Sequence, residues 1–475
     1  MQARRTSSCR ALLGVTRPST LLLPVPFSLP LLPLHLFLLL LLVVSLATFS
    51  HEACAAVTPG THPSVAPASS SRAIHSLNRR ASALPPKRAN LTACPNLRIA
   101  IFNGVPYHYE VLAGLAHLFR RYRHRTDVYV HRYTQRDAGE GSWDVLRRFR
   151  IKYRLLTRTR LEALARDKPF YDVVILVSPE YELPDLENLL QNIRRHLTVA
   201  IVHNSDFEDM QHLIRVAEGG GSSMRLVTLS PHTAASLAAR VGRNVEWALP
   251  VYPFKPDVDC LNTSSTMYSL QTCLRGFSIQ GRFSSQRRNY STLWQQLASR
   301  RTDLTAGLTD ARFHINMLGK GAEQRLRLPG ELQPLVRLHR RLPFRDFYNK
   351  LHHSFAIVPL FGSSRYLTHK FSSSIISSLI SGTPLIASRG VLAAYGMLDE
   401  RSVFVQEKGD RELDVMLRVI MMAKRDLLAV REGVLEARRK ANDRATVFYA
   451  ELLTESCRAA ASRKGTGSTM AEAAV

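Results

Sequence analysis

The chain has 475 residues, too many for one ordinary globular core, so about two domains are expected. Its 45% hydrophobic content is that of a folded protein. Lys and Arg total 64 against 38 Asp and Glu, a net charge of +26, but the excess is spread along the chain and no zinc-knuckle spacing, RNA-binding signature or basic amphipathic repeat accompanies it, which argues against a nucleic-acid partner.

At the N-terminus, Arg4, Arg5 and Arg10 precede a Leu-rich stretch, 21–49, that is free of acidic residues and free of proline over 36–46. Such a segment enters the secretory membrane, with the basic residues favouring a cytosolic N-terminus and a lumenal body. Ala53-Cys54-Ala55 has the form of a signal-peptidase site, so a cleaved signal and a short signal anchor both remain open for 1–56. An Arg- and Ser-rich start also fits an organelle transit peptide, a class not normally followed by so unbroken a Leu run. The expected location is the endoplasmic reticulum or Golgi membrane with the body in the lumen, or secretion after cleavage. Residues 57–95 are Pro, Ser, Ala and Arg with almost no periodic apolar positions, a flexible stem, and 456–475 read as a disordered tail. Sequons stand at Asn90, Asn262 and Asn289. Of six cysteines, Cys260 and Cys273 enclose a short Ser/Thr-rich loop suited to a disulfide, while Cys94 and Cys457 flank the folded part and either pair or stay as free thiols.

The folded body begins near Asn96, and from there strand-length apolar runs alternate with longer amphipathic stretches. Strands are predicted at 97–102 (LRIAIF), 127–131, 173–177 (VVILV), 198–202, 224–229 and 245–249, with helices at 110–122 and 233–241, the latter with Ser230 as N-cap and Pro231 at the first helical position. These make one Rossmann-like domain, 96–252. A second series over 253–455 has strands at 276–280 (GFSIQ), 313–318, 355–360 and 384–387, with helices at 290–300, 343–351, 372–381 and 412–453. The fold class is therefore α/β, two Rossmann-like domains facing across a cleft, with ligands expected at the carboxyl ends of the strands.

Chemistry concentrates in the second domain at 369–387, HKFSSSIISSLISGTPLIA. Lys370 supplies a full charge, and Ser372, Ser373 and Ser374 add hydroxyls to the unpaired N–H groups of a helix start, an arrangement suited to a pyrophosphate. The bland alternative is that the serines only cap the helix. This segment, with Gly382-Thr383-Pro384-Leu385-Ile386-Ala387 at its end, resembles the carboxyl-terminal half of GT-B glycosyltransferases of the family 1 and family 4 kind. The family 4 pair of glutamates falls at His369 and Ser377, a departure that puts retaining chemistry of that type in doubt; the K-F-S-S-S form resembles a divergent eukaryotic branch. The second matching element is 277–283 (FSIQGRF) followed by Arg287-Arg288-Asn289. The resemblance implies donor phosphates beside Gly281, Arg282 and Arg287 or Arg288, where glycine lets the backbone approach and guanidinium forks match phosphate oxygens. Gly319, ending the next strand, is expected on the same rim, and a glycan on Asn289 would obstruct it, so that sequon is expected to be unused.

The first domain is expected to bind the acceptor. In 103–110 (NGVPYHYE) His108 stands where inverting GT-B enzymes often place a catalytic base, with Glu110 the alternative; a helix-start charge and a merely packed ring are the structural alternatives. His203 or Asp206, just past another strand, could contact sugar hydroxyls, and Asp206 could orient a base; Ser230 and His232 are a weaker pair. No D-x-D pair appears, so no metal or other cofactor is expected and the nucleotide sugar is a substrate. The resemblance thus implies transfer from a nucleotide sugar to a glycan, protein or lipid acceptor, the alternative being an inactive GT-B module that binds a glycan or partner protein.

Overall fold

The computed structural model describes residues 97–120, 124–132, 145–147, 150–219, 222–261, 270–306 and 313–472. The Leu-rich segment, the stem, Cys94 and the sequons at Asn90 and Asn262 lie outside the described residues. Among the described residues no helix is long and apolar enough to cross a membrane.

The first domain strings together β1 (Arg98–Asn103), α1 (Tyr109–Phe119), β2 (Arg125–His131), β3 (Tyr153–Leu156), α2 (Arg158–Asp167), β4 (Phe170–Val177), α3 (Leu183–Gln191), β5 (Arg194–Val202), α4 (Met210–Glu218), β6 (Ser223–Thr228), α5 (Pro231–Val241) and β7 (Glu246–Trp247). After its first residue β1 is buried throughout, as a central strand of a parallel sheet covered on both faces must be. All neighbouring strands pair in parallel, in the order β3-β2-β1-β4-β5-β6-β7. The winding reverses between β1 and β4, which opens a crevice at their carboxyl ends.

The second domain contains β8 (Phe277–Arg282), α6 (Tyr290–Ser299), β9 (Ile315–Lys320), β10 (Val336–Arg340), α7 (Phe344–His352), α8 (Ser373–Ser381), β11 (Leu385–Ser388), α9 (Arg389–Ala394), β12 (Val403–Gln406), α10 (Glu412–Met421) and α11 (Lys424–Glu472). β10-β9-β8 and β11-β12 are parallel sets. The run expected as a strand at 355–360 joins them over its first residues: Ile357 bridges Ser278 of β8 and Leu385 of β11 in parallel, and the Phe355 and Val358 N–H groups donate to the Gly276 and Ser278 carbonyls. It cannot extend the ladder, because Pro359 has no N–H to donate and Leu360 turns to φ 46.

The long helix expected over 412–453 is broken at Met422, whose extended backbone separates α10 from α11. α11 then continues through 456–472, where a tail is expected from composition. It also leaves the second domain and docks on the first. Tyr449 meets Phe119 edge to face at 5.5 Å, the Ser456 hydroxyl donates to the Asp172 carbonyl at 3.1 Å, and Asn442 trades two 2.8 Å bonds with the Val251 backbone. One hydrophobic cluster accordingly runs from Ile101, Ile175 and Ile201 of the first sheet through Phe371 and Ile375 to Tyr449. Cys260 and Cys273 form a disulfide; Cys457 is also disulfide-bonded, and its expected partner Cys94 is not among the described residues.

Candidate active site

The two domains are stitched together at the crevice by backbone. Beyond β5, the Ser205 N–H donates to the His369 carbonyl at 2.9 Å and the Phe371 N–H to the His203 carbonyl at 2.9 Å, flanking an antiparallel bridge between Asn204 and Lys370. Lys370 is thereby carried to the carboxyl end of the first sheet. Its ammonium lies 5.8 Å from the centre of the Tyr366 ring, and burial and then Arg287 lower its pKa.

On the second-domain side the wall is formed by the ends of β8 and β9. Gly281 has φ 125, a conformation L side chains avoid, and a Cβ on Gly319 would stand 1.8 Å from the Gly281 carbonyl oxygen, so the two strand ends meet only as glycines. Arg288 turns inward. It is 5% exposed, and its Nη2 donates to the Gln280 carbonyl at 2.9 Å and the Ser374 hydroxyl at 3.1 Å. Gln280 Nε2 reaches the hydroxyls of Ser373 and Ser374, both at 3.3 Å, while Ser372 caps α8 by accepting from the Ser374 N–H. The helix start is therefore a braced cradle with cations around it.

On the first-domain side, His108 is the N-cap residue of α1 with φ 63, which turns its ring toward the sheet. The ring stacks on His203 with centroids 3.8 Å apart, and the Ser178 hydroxyl touches both Nδ1 atoms, at 2.5 and 2.9 Å. Burial holds His108 well below the usual imidazole range and pushes His203 down to about 3, so both rings are neutral at neutral pH. Below them Glu180 accepts from the His203 and Asn204 N–H groups at 2.8 and 3.0 Å, yet burial pushes its carboxyl up to about 7. Glu110, in the first turn of α1, is also raised by burial.

One cavity of about 480 Å³ is lined by His108, Glu110, Gly281, Arg282, Arg287, Arg288, Gly319, Lys370, Ser372 and Ser373, so ten of the fifteen residues singled out from sequence share it. Ser374 lies just behind the wall as a partner of Arg288. Asp206 lies elsewhere: it does not line the cavity, and it pairs with Arg240, Arg365 and His369 at 3.1, 3.0 and 3.4 Å. His203 is behind His108 and 4% exposed, and His232 bonds the carbonyls of Ala394 and Lys370, a contact between the domains. Asn289 caps α6, accepting from the Ser291 hydroxyl and the Thr292 N–H. Sequence reasoning missed Tyr107, Tyr181, Lys320, Arg341 and Tyr366 on the cavity wall, and Ser178 and Glu180 behind it. For the last two a signal existed, since both directly follow the buried run VVILV, and strand ends are where such sheets place function.

No family model and no curated protein sequence matches the chain. Among solved structures, HepE from Anabaena, determined with UDP-glucose, is similar over 77% of this chain and 100% of its own, with 14% identity and a TM-score of 0.51. The UDP-forming trehalose-phosphate synthase of Burkholderia vietnamiensis is similar over 78% and 99%, at 11% identity and a TM-score of 0.47, and the lipopolysaccharide outer core galactosyltransferase WaaB over 74% and 99%, at 12% and 0.42. Two parallel Rossmann-like sheets meeting at one cleft, with the last helix returning to the first domain, define the class: this chain has the GT-B fold.

Proposed function

We propose that this chain is a glycosyltransferase, moving a sugar from a nucleotide-sugar donor to a glycan, protein or lipid acceptor in the secretory pathway. The observation that carries the reading is the shared cleft: the basic loop after Gly281 and the serine-rich start of α8 face His108 and Glu110 across one cavity. The diphosphate rests against Ser373, with Lys370, Arg282 and Arg287 offsetting the charge that develops as it departs; fixed cations and helix N–H groups do this without a metal ion. The acceptor enters from the first-domain side, where His108 and Glu110 wait. HepE, similar in fold, was determined with UDP-glucose, which supports a uridine nucleotide as the first donor to try. The Leu-rich N-terminal segment and the Cys260–Cys273 disulfide support lumenal residence, since disulfides persist in oxidising compartments.

The test is a thermal-unfolding screen of the full chain against UDP, GDP, ADP and CMP sugars. One of them is expected to stabilise the protein by about 2.7 kcal/mol at a hundredfold excess over its Kd. Lys370→Ala should weaken that ligand by about tenfold, a charge-assisted bond's worth, without lowering the melting temperature of the free protein. Indifference to every nucleotide sugar sinks the proposal. The inactive-module reading is favoured by His369 and Ser377 standing where the family 4 pattern has glutamates; donor binding with no turnover on any acceptor would establish it.

A further inference from the structure

Ser178 ends β4 with φ 61, a left-handed backbone that costs a serine on the order of 1 kcal/mol or more, and its side chain is fully buried. Strain kept at a strand's carboxyl end, beside the cleft, asks what the hydroxyl does. It touches Nδ1 of His108 and Nδ1 of His203 at once, and the two neutral rings each carry one nitrogen-bound proton. A hydroxyl has one proton to give. To make both bonds it donates to one Nδ1 and accepts from the other, so the rings are locked in opposite tautomers.

The surroundings decide which is which. Nε2 of His203 is buried without a partner, and an orphaned lone pair is tolerated better than an orphaned N–H. With Nε2 unpartnered, the Ser178 hydroxyl is the partner left to the ring, at Nδ1. His203 therefore keeps its proton on Nδ1, Ser178 donates to Nδ1 of His108, and the proton of His108 sits on Nε2.

We propose that Ser178 is a positioning residue that holds His108 as an Nε2–H donor to the bound substrate, leaving Glu110, not His108, as the base. This rests on the glycosyltransferase reading. In the transfer step the acceptor oxygen bonds to the anomeric carbon as the bond to the nucleotide diphosphate breaks. The acceptor's proton passes to the Glu110 carboxylate and the departing diphosphate keeps the bonding electron pair. His108 donates a hydrogen bond to developing charge and transfers no proton, as a neutral imidazole with both nitrogens committed must.

The test reads the protons directly. In the full chain labelled with ring-15N histidine, solid-state NMR is expected to show His108 protonated at Nε2 and His203 at Nδ1. Ser178→Gly removes the hydroxyl while relieving the φ 61 strain, so the fold is kept; it is expected to leave His108 in mixed tautomers, whereas Ser178→Ala serves as the strained counterpart. His108 protonated at Nδ1 in the native chain, or tautomers unmoved in Ser178→Gly, overturns the proposal. A second arm uses UDP-glucose turnover: His108→Gln keeps a terminal N–H but no basic nitrogen and should retain at least about a tenth of the rate, while His108→Ala loses about a hundredfold. Equal losses in both variants return the base role to His108 and refute the assignment. Absence of turnover in the native chain counts against the transferase reading, and the ring-nitrogen result still decides the role of Ser178.

Discussion

Glu180 shows how a residue can carry opposite demands. Burial outweighs the backbone donors and the Lys370 charge that favour its ionised form and raises the folded pKa from 4.5 to about 7. Between those pH values the native state holds a proton that the unfolded chain has lost. Its contribution to stability is thus complete below about pH 4.5 and disappears as pH climbs to about 7, a change on the order of 3 kcal/mol. Glu180→Gln removes the titration while keeping an acceptor for the His203 and Asn204 N–H groups. Urea unfolding at pH 5 and pH 8 should show the wild type losing about 2–3 kcal/mol relative to the variant over that interval; parallel behaviour of the two proteins would contradict the raised pKa. Arg288 makes the complementary point. Chosen from sequence as a phosphate ligand, it has one guanidinium nitrogen committed to Gln280 and Ser374, so it also braces the cradle that Arg282 and Arg287, both exposed, surround.

At the scale of elements, the cleft wall depends on how closely β8 and β9 end together. Gly319 tolerates no side chain because the Gly281 carbonyl occupies that space and Phe283 stands 3.1 Å away. Gly319→Ala should cost about 3 kcal/mol and abolish donor binding, whereas Gly330→Ala, with nothing within 4 Å, should change stability by less than about 0.5 kcal/mol. Thermal melts of the two variants check this, and a neutral Gly319→Ala would show that the strand ends can part freely. Three of the elements missed from sequence share a cause, although α4, also missed, buries Met210, Leu213, Ile214 and Ala217 at helical spacing. β3 is partly exposed throughout, α2 buries only Leu164, and β12 is four residues long, so none carries the apolar periodicity that marks an element.

For the whole molecule, α11 makes the two domains one cooperative object. Tyr449 is 1% exposed and belongs to the last helix, yet it packs on Phe119 of the first domain, and Glu455 forms an ion pair with Arg225 at 2.8 Å. Tyr449→Ala should destabilise the protein by about 3–5 kcal/mol and accelerate amide exchange in β4 and β5, far from it in sequence. Loss of protection confined to α11 would mean that the first domain stands alone.

The sequence by itself determined the alternation of buried strands and amphipathic helices, the two-domain division, and the glycine-and-cation loops, because each depends on residues within a few positions of one another. It marked ten residues that line one cavity. Only the tertiary structure decided that Ser178 reaches His108 across 70 positions, that His203 stacks behind that ring, and that Asp206 turns away to Arg240 and Arg365. Those meetings depend on strand order and on where the chain crosses between domains. Both are settled by packing over the entire core, which local periodicity does not record.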